Sequence, residues 1–291
     1  MANHHLRSDL SEAVISDRGA ELQGLRLEGV DLLWPAGPLW PRHAPLLFPV
    51  IGSLQGGALR DGTTALPMPK HGFARERDFT WLRRDETACV LELKDAAATR
   101  DVFPFAFRLT VAYTLTASRL RMDVALNNPG EAPLPASLGL HPAFRWPLAP
   151  DLPKAAHRLV FDAEEPGPLR RLDAQGLLAP ELHPTPIRRR ELALTEELFA
   201  EDALLFLEPR SRGLRFEATG GPSLSLRWEG FPHLGVWAKP DPAPAFLCIE
   251  PWEGYADPSD WRGDLRHKPG AFTLAPGADR AWSLEVGLPP R

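Results

Sequence analysis

The tightest constraint on how this chain folds is an unbroken alternation of side chains across residues 105–126. Phe105, Phe107, Leu109, Val111, Tyr113 and Leu115 are separated by Ala106, Arg108, Thr110, Ala112 and Thr114. After Thr116 and the short connection Ala117-Ser118-Arg119 the pattern resumes, with Leu120, Met122, Val124 and Leu126 separated by Arg121, Asp123 and Ala125. Successive side chains of a strand point to opposite faces, so period-two alternation gives the strand one apolar face. Two such runs joined by a polar turn predict a long β-hairpin buried on one side.

Weaker forms of the pattern recur at Cys89, Leu91 and Leu93, at Leu214 and Phe216, at Leu224, Leu226 and Trp228, and at Trp282, Leu284 and Val286. Residues 245–249 (Ala-Phe-Leu-Cys-Ile) are apolar throughout, as expected of a strand covered on both faces. Helical candidates are few: two turns over residues 194–200 and one over 259–265. The 32 prolines and 23 glycines are spread along the chain, which suits many short strands joined by many turns. Residues 164–190, with Pro166, Pro168, Pro180, Pro184 and Pro186, read as a long loop excursion and not as a domain boundary. The expectation is an all-β, antiparallel sandwich or barrel with few short helices, one domain over residues 1–291.

Several function classes are disfavoured. No run approaches the roughly 20 apolar residues that span a bilayer, and the N-terminus lacks the apolar stretch of a secretory signal, so no membrane association and cytoplasmic residence are expected. Net charge is −5, and the one compact basic cluster, Arg188-Arg189-Arg190, lies in a proline-punctuated stretch that reads as solvated loop. Nucleic acid is therefore not an expected partner. Cys89 and Cys248 sit in apolar runs, which favours buried free thiols over a disulfide, and two cysteines cannot make a zinc cage unaided. Glycine-rich dinucleotide and phosphate loops, the Gly-x-Ser-x-Gly elbow and His-Glu-x-x-His are all missing.

Three segments place polar residues in apolar surroundings: Lys70-His-Gly-Phe-Ala-Arg75, Ser137-Leu-Gly-Leu-His-Pro-Ala-Phe144, and Cys248-Ile-Glu-Pro-Trp-Glu-Gly-Tyr-Ala-Asp257. Glu250 ends an apolar strand, where a carboxylate is costly to bury unless paired or functional. The plainer alternative is that the chain reaches water there, with Pro251 stopping the ladder. His141 poses the same choice between a working group and a satisfied strand-end histidine. His71 and Arg75 lie in a glycine-containing turn whose default is a solvated loop. Residue by residue, both readings stay open.

The set of segments resembles the aldose 1-epimerase (galactose mutarotase) family, in particular its LacX-like branch. The resemblance runs through Arg18-Gly-Ala-Glu-Leu-Gln23, Leu32-Leu-Trp34, Ala44-Pro-Leu-Leu-Phe-Pro-Val-Ile-Gly52, His71-Gly-Phe-Ala-Arg75 and Phe103-Pro-Phe-Ala-Phe107. It continues through Leu138-Gly-Leu-His-Pro-Ala-Phe144, Leu198-Phe-Ala-Glu-Asp-Ala203, Leu234-Gly-Val-Trp237 and Ile249-Glu-Pro-Trp-Glu-Gly254, covering nearly the whole chain in order.

The resemblance implies a β-supersandwich and an enzyme that interconverts the α and β anomers of a hexose. It places His141 at the family's general acid and Glu250 at its base, with His71 and Arg75 lining the sugar site and Asp202 accepting hydrogen bonds from sugar hydroxyls. Trp237 is either an aromatic wall or a buried strand tryptophan. Anomer exchange moves protons without a redox step or an electron sink, so neither a metal nor an organic cofactor is expected. The partner is a small sugar, and the chain is expected as a monomer or homodimer. Relatives in this branch commonly carry arginine where Gly52 is followed by Ser53, which weighs against a hexose 6-phosphate, one alternative substrate. Two further alternatives are a glycoside-cleaving enzyme using Glu250 with Glu253 or Asp257, and a sugar-binding protein without catalysis.

Overall fold

In the computed structural model, which describes residues 2–239 and 245–289, the alternating stretch forms the hairpin Arg108–Leu115 and Arg119–Asn127. Its register runs from Arg108 opposite Asn127 to Leu115 opposite Leu120. Leu109, Val111, Tyr113, Leu115, Leu120, Met122, Val124 and Leu126 are all buried. The first strand starts at Arg108 and not at Phe105, because the preceding rings serve another purpose: Phe103 and Phe107 pack edge-on against Phe48. A side chain turned into that aromatic cluster cannot also follow the strand pleat.

The hairpin lies in a nine-stranded antiparallel sheet. Its order is Glu191–Ala193, His157–Phe161, Gly213–Ala218, Ser223–Glu229, Asp279–Gly287, Arg119–Asn127, Arg108–Leu115, Ala88–Lys94 and Thr80–Arg84. The last strand of the chain is thus inserted between two sequence-distant halves and joins them into one ladder. All four weaker alternations fall in these strands.

A second sheet has six strands. Along its path are Leu204–Phe206, His233–Trp237, Phe246–Glu253, Leu138–Leu140 and Leu46–Leu47, and Ala143–Arg145 pairs with Phe246–Glu253 off that path. Its two faces separate by residue parity. Leu46, Leu138, Leu140, Phe144, Leu204, Phe206, Leu234, Val236, Leu247 and Ile249 enter the same apolar core as Leu109, Val111, Leu226 and Leu284 of the larger sheet. The alternate residues Leu47, Ala203, Leu205 and Trp252 form a separate cluster on the far side. Two sheets sharing one core make a β-sandwich, and the far face of the smaller sheet is left to build a site.

Helix is scarce, as the sequence implies. Ala97–Arg100 is a four-residue α-helix, and the remaining helical pieces are 3-10 turns. The two turns expected over residues 194–200 reduce to one 3-10 turn, Glu196–Phe199, entered from an extended Thr195. The turn expected over 259–265 does not form; the nearest is Leu265–His267. A segment this short, with Gly263 inside it, gains too few hydrogen bonds to offset helix nucleation. Cys89 and Cys248 are buried free thiols. Among the described residues no helix is long and apolar enough to cross a membrane.

The burial pattern predicts a sharp contrast within one strand. Leu109→Ala should lower unfolding free energy by about 2–5 kcal/mol, while Thr114→Ala, on the exposed side, should stay within about 0.5 kcal/mol. Urea denaturation followed by circular dichroism measures both.

Candidate active site

The site begins with a register. Gly139 pairs with Trp252 and Ala143 with Cys248, and these two pairings belong to one unbroken alignment. His141 therefore stands directly opposite Glu250. Neither Pro142 nor Pro251 has an N–H to give the ladder at this point. The strand nevertheless runs through Pro251 to Glu253, with Leu234 opposite Pro251 and Gly235 opposite Glu250. The alternative that Pro251 stops the ladder and lets Glu250 reach water is thus overturned: all eight residues of Phe246–Glu253 are buried. His141 Nε2 lies 3.2 Å from Glu250 Oε2, within reach for proton transfer but not aligned as a hydrogen bond, and His141 Nδ1 is buried without a partner.

Period-two alternation then populates the same face. His141, Trp237, Glu250, Trp252, Ala203 and Leu205 all line one open cleft. Trp252 lies flat against the sheet. A methyl group on Gly139 would come within 2.6 Å of one edge of its indole, and one on Gly235 within 2.6 Å of the other. The glycines of Leu138-Gly-Leu-His141 and Leu234-Gly-Val-Trp237 are the trough in which this ring rests.

Loops supply the opposite side. Gly72 N–H donates to Pro69 O at 2.9 Å, closing a turn whose third residue, His71, has φ +68°. That is the left-handed value a type II turn demands there. Gly72 has no substitute, since a Cβ would meet Phe48 O at 2.2 Å. His71 N–H donates to Gly52 O at 3.0 Å and Gly52 N–H returns a bond to His71 Nδ1 at 3.1 Å. With Nδ1 an acceptor, the ring proton of neutral His71 sits on Nε2. Arg75 follows in the 3-10 turn Ala74–Glu76. One guanidinium nitrogen donates to Lys70 O at 2.6 Å, while its buried Nε has no hydrogen-bond partner and lies 3.9 Å from Glu76 Oε1. Asp202, half-buried at φ +66° after the turn Glu196–Phe199, also faces the cleft.

All six residues singled out in the sequence (His71, Arg75, His141, Asp202, Trp237 and Glu250) thus meet around one cleft. Trp237 is half-buried and edge-on to His141 at 5.8 Å, so of its two readings the wall is the one this placement serves. Nine further residues line the cleft without a role assigned from the sequence, Trp40, Leu172, Lys70 and Trp252 among them. Trp40 stacks on the His141 ring at 5.2 Å; its one sequence signal is a tryptophan set among prolines in a stretch without periodicity. Leu172 comes from the excursion 164–190, which folds back through hydrogen bonds of Arg170 with Leu205 and of Leu178 with Asp257. Lys70 and Trp252 line the cleft as well. Ser53 is not part of it: its carbonyl accepts Asp257 N–H at 3.0 Å.

Burial dominates the electrostatics. Desolvation holds His141 down at about 3, with Arg75, Lys70 and Arg42 pushing the same way. His71 is also well below the usual imidazole range, through burial and then repulsion from its cationic neighbours. Glu250 is raised well above a normal carboxylate, first by burial and further by Asp202, against the pull of Lys70. Both shifts run the same way, toward an uncharged imidazole beside a protonated carboxyl. Arg75 falls only to about 10, again through burial, and remains a cation near neutral pH. The two carboxylates proposed as partners for bond cleavage are occupied elsewhere. Glu253, of opposite parity to Glu250, is held by Trp282 Nε1 at 2.8 Å and by Arg280, and Asp257 pairs with the buried Lys268 at 3.0 Å.

An antiparallel sandwich carrying an indole-walled cleft, with an imidazole facing a carboxylate at its base, defines a β-sandwich protein built around a small polar ligand. The chain belongs to the aldose 1-epimerase family, whose model, described as Aldose 1-epimerase, matches residues 4–257. It is 28% identical over 270 residues to Protein LacX of Lactococcus lactis subsp. lactis, in both its plasmid and chromosomal forms, covering 89% of this chain and 90% of the relative. Among solved structures, a galactose mutarotase-like protein from Lactobacillus casei superposes with a TM-score of 0.92 at 28% identity, covering 99% of this chain and 100% of that one. A galactose mutarotase related enzyme from Lactobacillus acidophilus gives 0.89 at 28% identity, with 99% and 98% covered.

Two outcomes follow. Gly235→Ala should lower stability by about 1–3 kcal/mol through overpacking and alter the near-ultraviolet circular dichroism of Trp252. Gly167→Ala, where a Cβ meets nothing within 4 Å, should change neither. The second concerns pH. A carboxyl whose folded pKa is raised favours the folded state fully below its unfolded value of 4.5, and that contribution is lost as pH climbs through the folded value. Glu250→Gln removes this loss, so the stability of the variant relative to the parent should increase as pH rises above about 5 in urea melts.

Proposed function

We propose that this protein is a mutarotase, an aldose 1-epimerase that interconverts the α and β anomers of a hexose by acid–base opening and closing of the ring. The observation that carries the reading is the opposition of His141 and Glu250, two groups with one exchangeable proton between them, at the base of a sugar-sized cleft. Anomer exchange asks for one group to take the proton of the C1 hydroxyl and another to protonate the ring oxygen.

In the reading favoured here, a sugar hydroxyl donates to Glu250 and stabilises its carboxylate, since hydrogen bonding to a charged form favours that form. The proton of the pair then resides on His141. Glu250 accepts the C1 hydroxyl proton while the C1–ring oxygen bond breaks and His141 protonates the ring oxygen. This gives the open-chain aldehyde. After rotation about C1–C2 the ring oxygen returns its proton to His141, attacks C1 from the other side, and Glu250 reprotonates the C1 oxygen. His71 offers a donor through Nε2, Arg75 offers donors, and Asp202 is an acceptor for the remaining hydroxyls. Trp40 and Trp237 flank the apolar face of the ring. Holding the sugar in one pose supplies the orientation that proton transfer needs.

A phosphorylated hexose is a second reading, favoured by one observation: Lys70 and Arg75 both line the cleft, so it presents positive charge to its ligand. The absence of arginine at position 53 weighs the other way.

Fresh α-glucose or α-galactose should reach anomeric equilibrium faster with the protein present, as followed by polarimetry or proton NMR. His141→Ala and Glu250→Gln should each remove roughly 10²–10⁴-fold of that acceleration while remaining folded. Full activity in either folded variant sinks its assigned role. Comparing glucose, galactose and glucose 6-phosphate separates the two substrate readings.

A further inference from the structure

The proton pair has a third neighbour that the reaction does not use. Cys248 lies two residues before Glu250 on the same strand, so its side chain shares the cleft-side face of the sheet. The opposed pair Ala143 and Cys248 sits next to the pair His141 and Glu250 in a single register. One imidazole nitrogen of His141, the Cys248 sulfur and a Glu250 oxygen all fall within 4.8 Å of one another. All three residues are buried, and Glu250 Oε2 has no hydrogen-bond partner.

We infer that His141, Cys248 and Glu250 form a binding site for a thiophilic divalent cation of the zinc class, entered from the cleft and competing with sugar. The donor set is one nitrogen, one sulfur and one oxygen, a combination zinc accepts in three-ligand sites. Zinc–nitrogen and zinc–oxygen bonds of about 2.0 Å at tetrahedral angles set those two atoms roughly 3.3 Å apart. The 3.2 Å between His141 Nε2 and Glu250 Oε2 already matches that span. The Cys248 sulfur lies within 4.8 Å of the other two ligand atoms.

Charge is the second argument. Binding takes the thiol proton of Cys248 and the carboxyl proton of Glu250 into solution. A thiolate and a carboxylate are left to neutralise the dication, with neutral imidazole as third ligand. Lys70 and Arg75 on the rim oppose a cation, and the two anionic ligands offset that repulsion at far shorter range. His141 and Glu250 both line the cleft, the side from which a fourth ligand would come. An occupied site removes both the acceptor and the donor from proton exchange, so the cation acts as an inhibitor and not as a cofactor.

Cadmium reports on such a site without any enzymatic assay, through the ultraviolet charge-transfer absorption of a cadmium–thiolate bond. Titration of the sugar-free protein with Cd²⁺ should develop this band to one equivalent, and Zn²⁺ should compete it away. Cys248→Ala should abolish the band and weaken Zn²⁺ binding, by calorimetry, more than about tenfold, which even an outer-shell change at a metal site achieves. Cys89→Ala should leave both intact. If Cys248→Ala does not fold, the near-isosteric Cys248→Ser replaces it. No thiolate band in the parent protein, or a band that survives loss of Cys248 and follows Cys89, overturns the site. Because no sugar enters these measurements, their failure leaves the mutarotase reading untouched, and failure of anomer exchange leaves the metal site standing.

Discussion

Everything distinctive about this molecule depends on a carboxyl group buried in the middle of a strand at the floor of an open cleft. Phe246–Glu253 is flanked on both sides within its sheet, and all eight of its residues are buried. Desolvation there is large enough to reverse the usual order of proton affinities between a glutamate and a histidine. Such a group is tolerated because its cross-strand neighbour can share its proton, so neither has to carry a net charge alone. The sandwich beneath, with its hairpin and its core of leucine, valine and phenylalanine, is the support that keeps two strands in the alignment this sharing needs.

Rigid and irregular parts of the chain divide the work. The sheet delivers the groups whose separation matters most, His141, Glu250, Trp237 and Trp252, through pairing and parity. Loops deliver Trp40, His71, Arg75, Leu172 and Asp202, whose approach to the cleft follows from turns and not from a ladder. Two of these, His71 and Asp202, hold left-handed backbone conformations unusual for side-chain-bearing residues. At His71 the conformation is fixed by the reciprocal pair of hydrogen bonds with Gly52, so the backbone is over-determined where an imidazole must be aimed.

Much of this was legible before any coordinates. Alternation exposed the hairpin and four further strands because side-chain period reports directly on which face is buried. The apolar run at 245–249 foretold a doubly covered strand, and the order of motifs brought together the six residues that meet at the cleft. What stayed hidden was whatever depends on alignment between distant segments. Nothing in the residues around His141 or Glu250 shows that they face each other, since register is a property of a pair of strands. Trp40 was missed because a loop has no period to read. The proline at 251 suggested a strand end, yet the ladder continues past it, with Leu234 opposite Pro251 and His233 opposite Trp252.

The trough of Gly139 and Gly235 beneath Trp252 has a consequence for how this recognition surface can change over evolutionary or laboratory time. Cavities walled by large side chains are enlarged by trimming them. Here the floor is set by two missing methyl groups, and any replacement at either position only adds bulk and lifts the ring. Variation in ligand size is thereby channelled to the loops bearing Trp40 and Leu172, while the sheet side admits one shape.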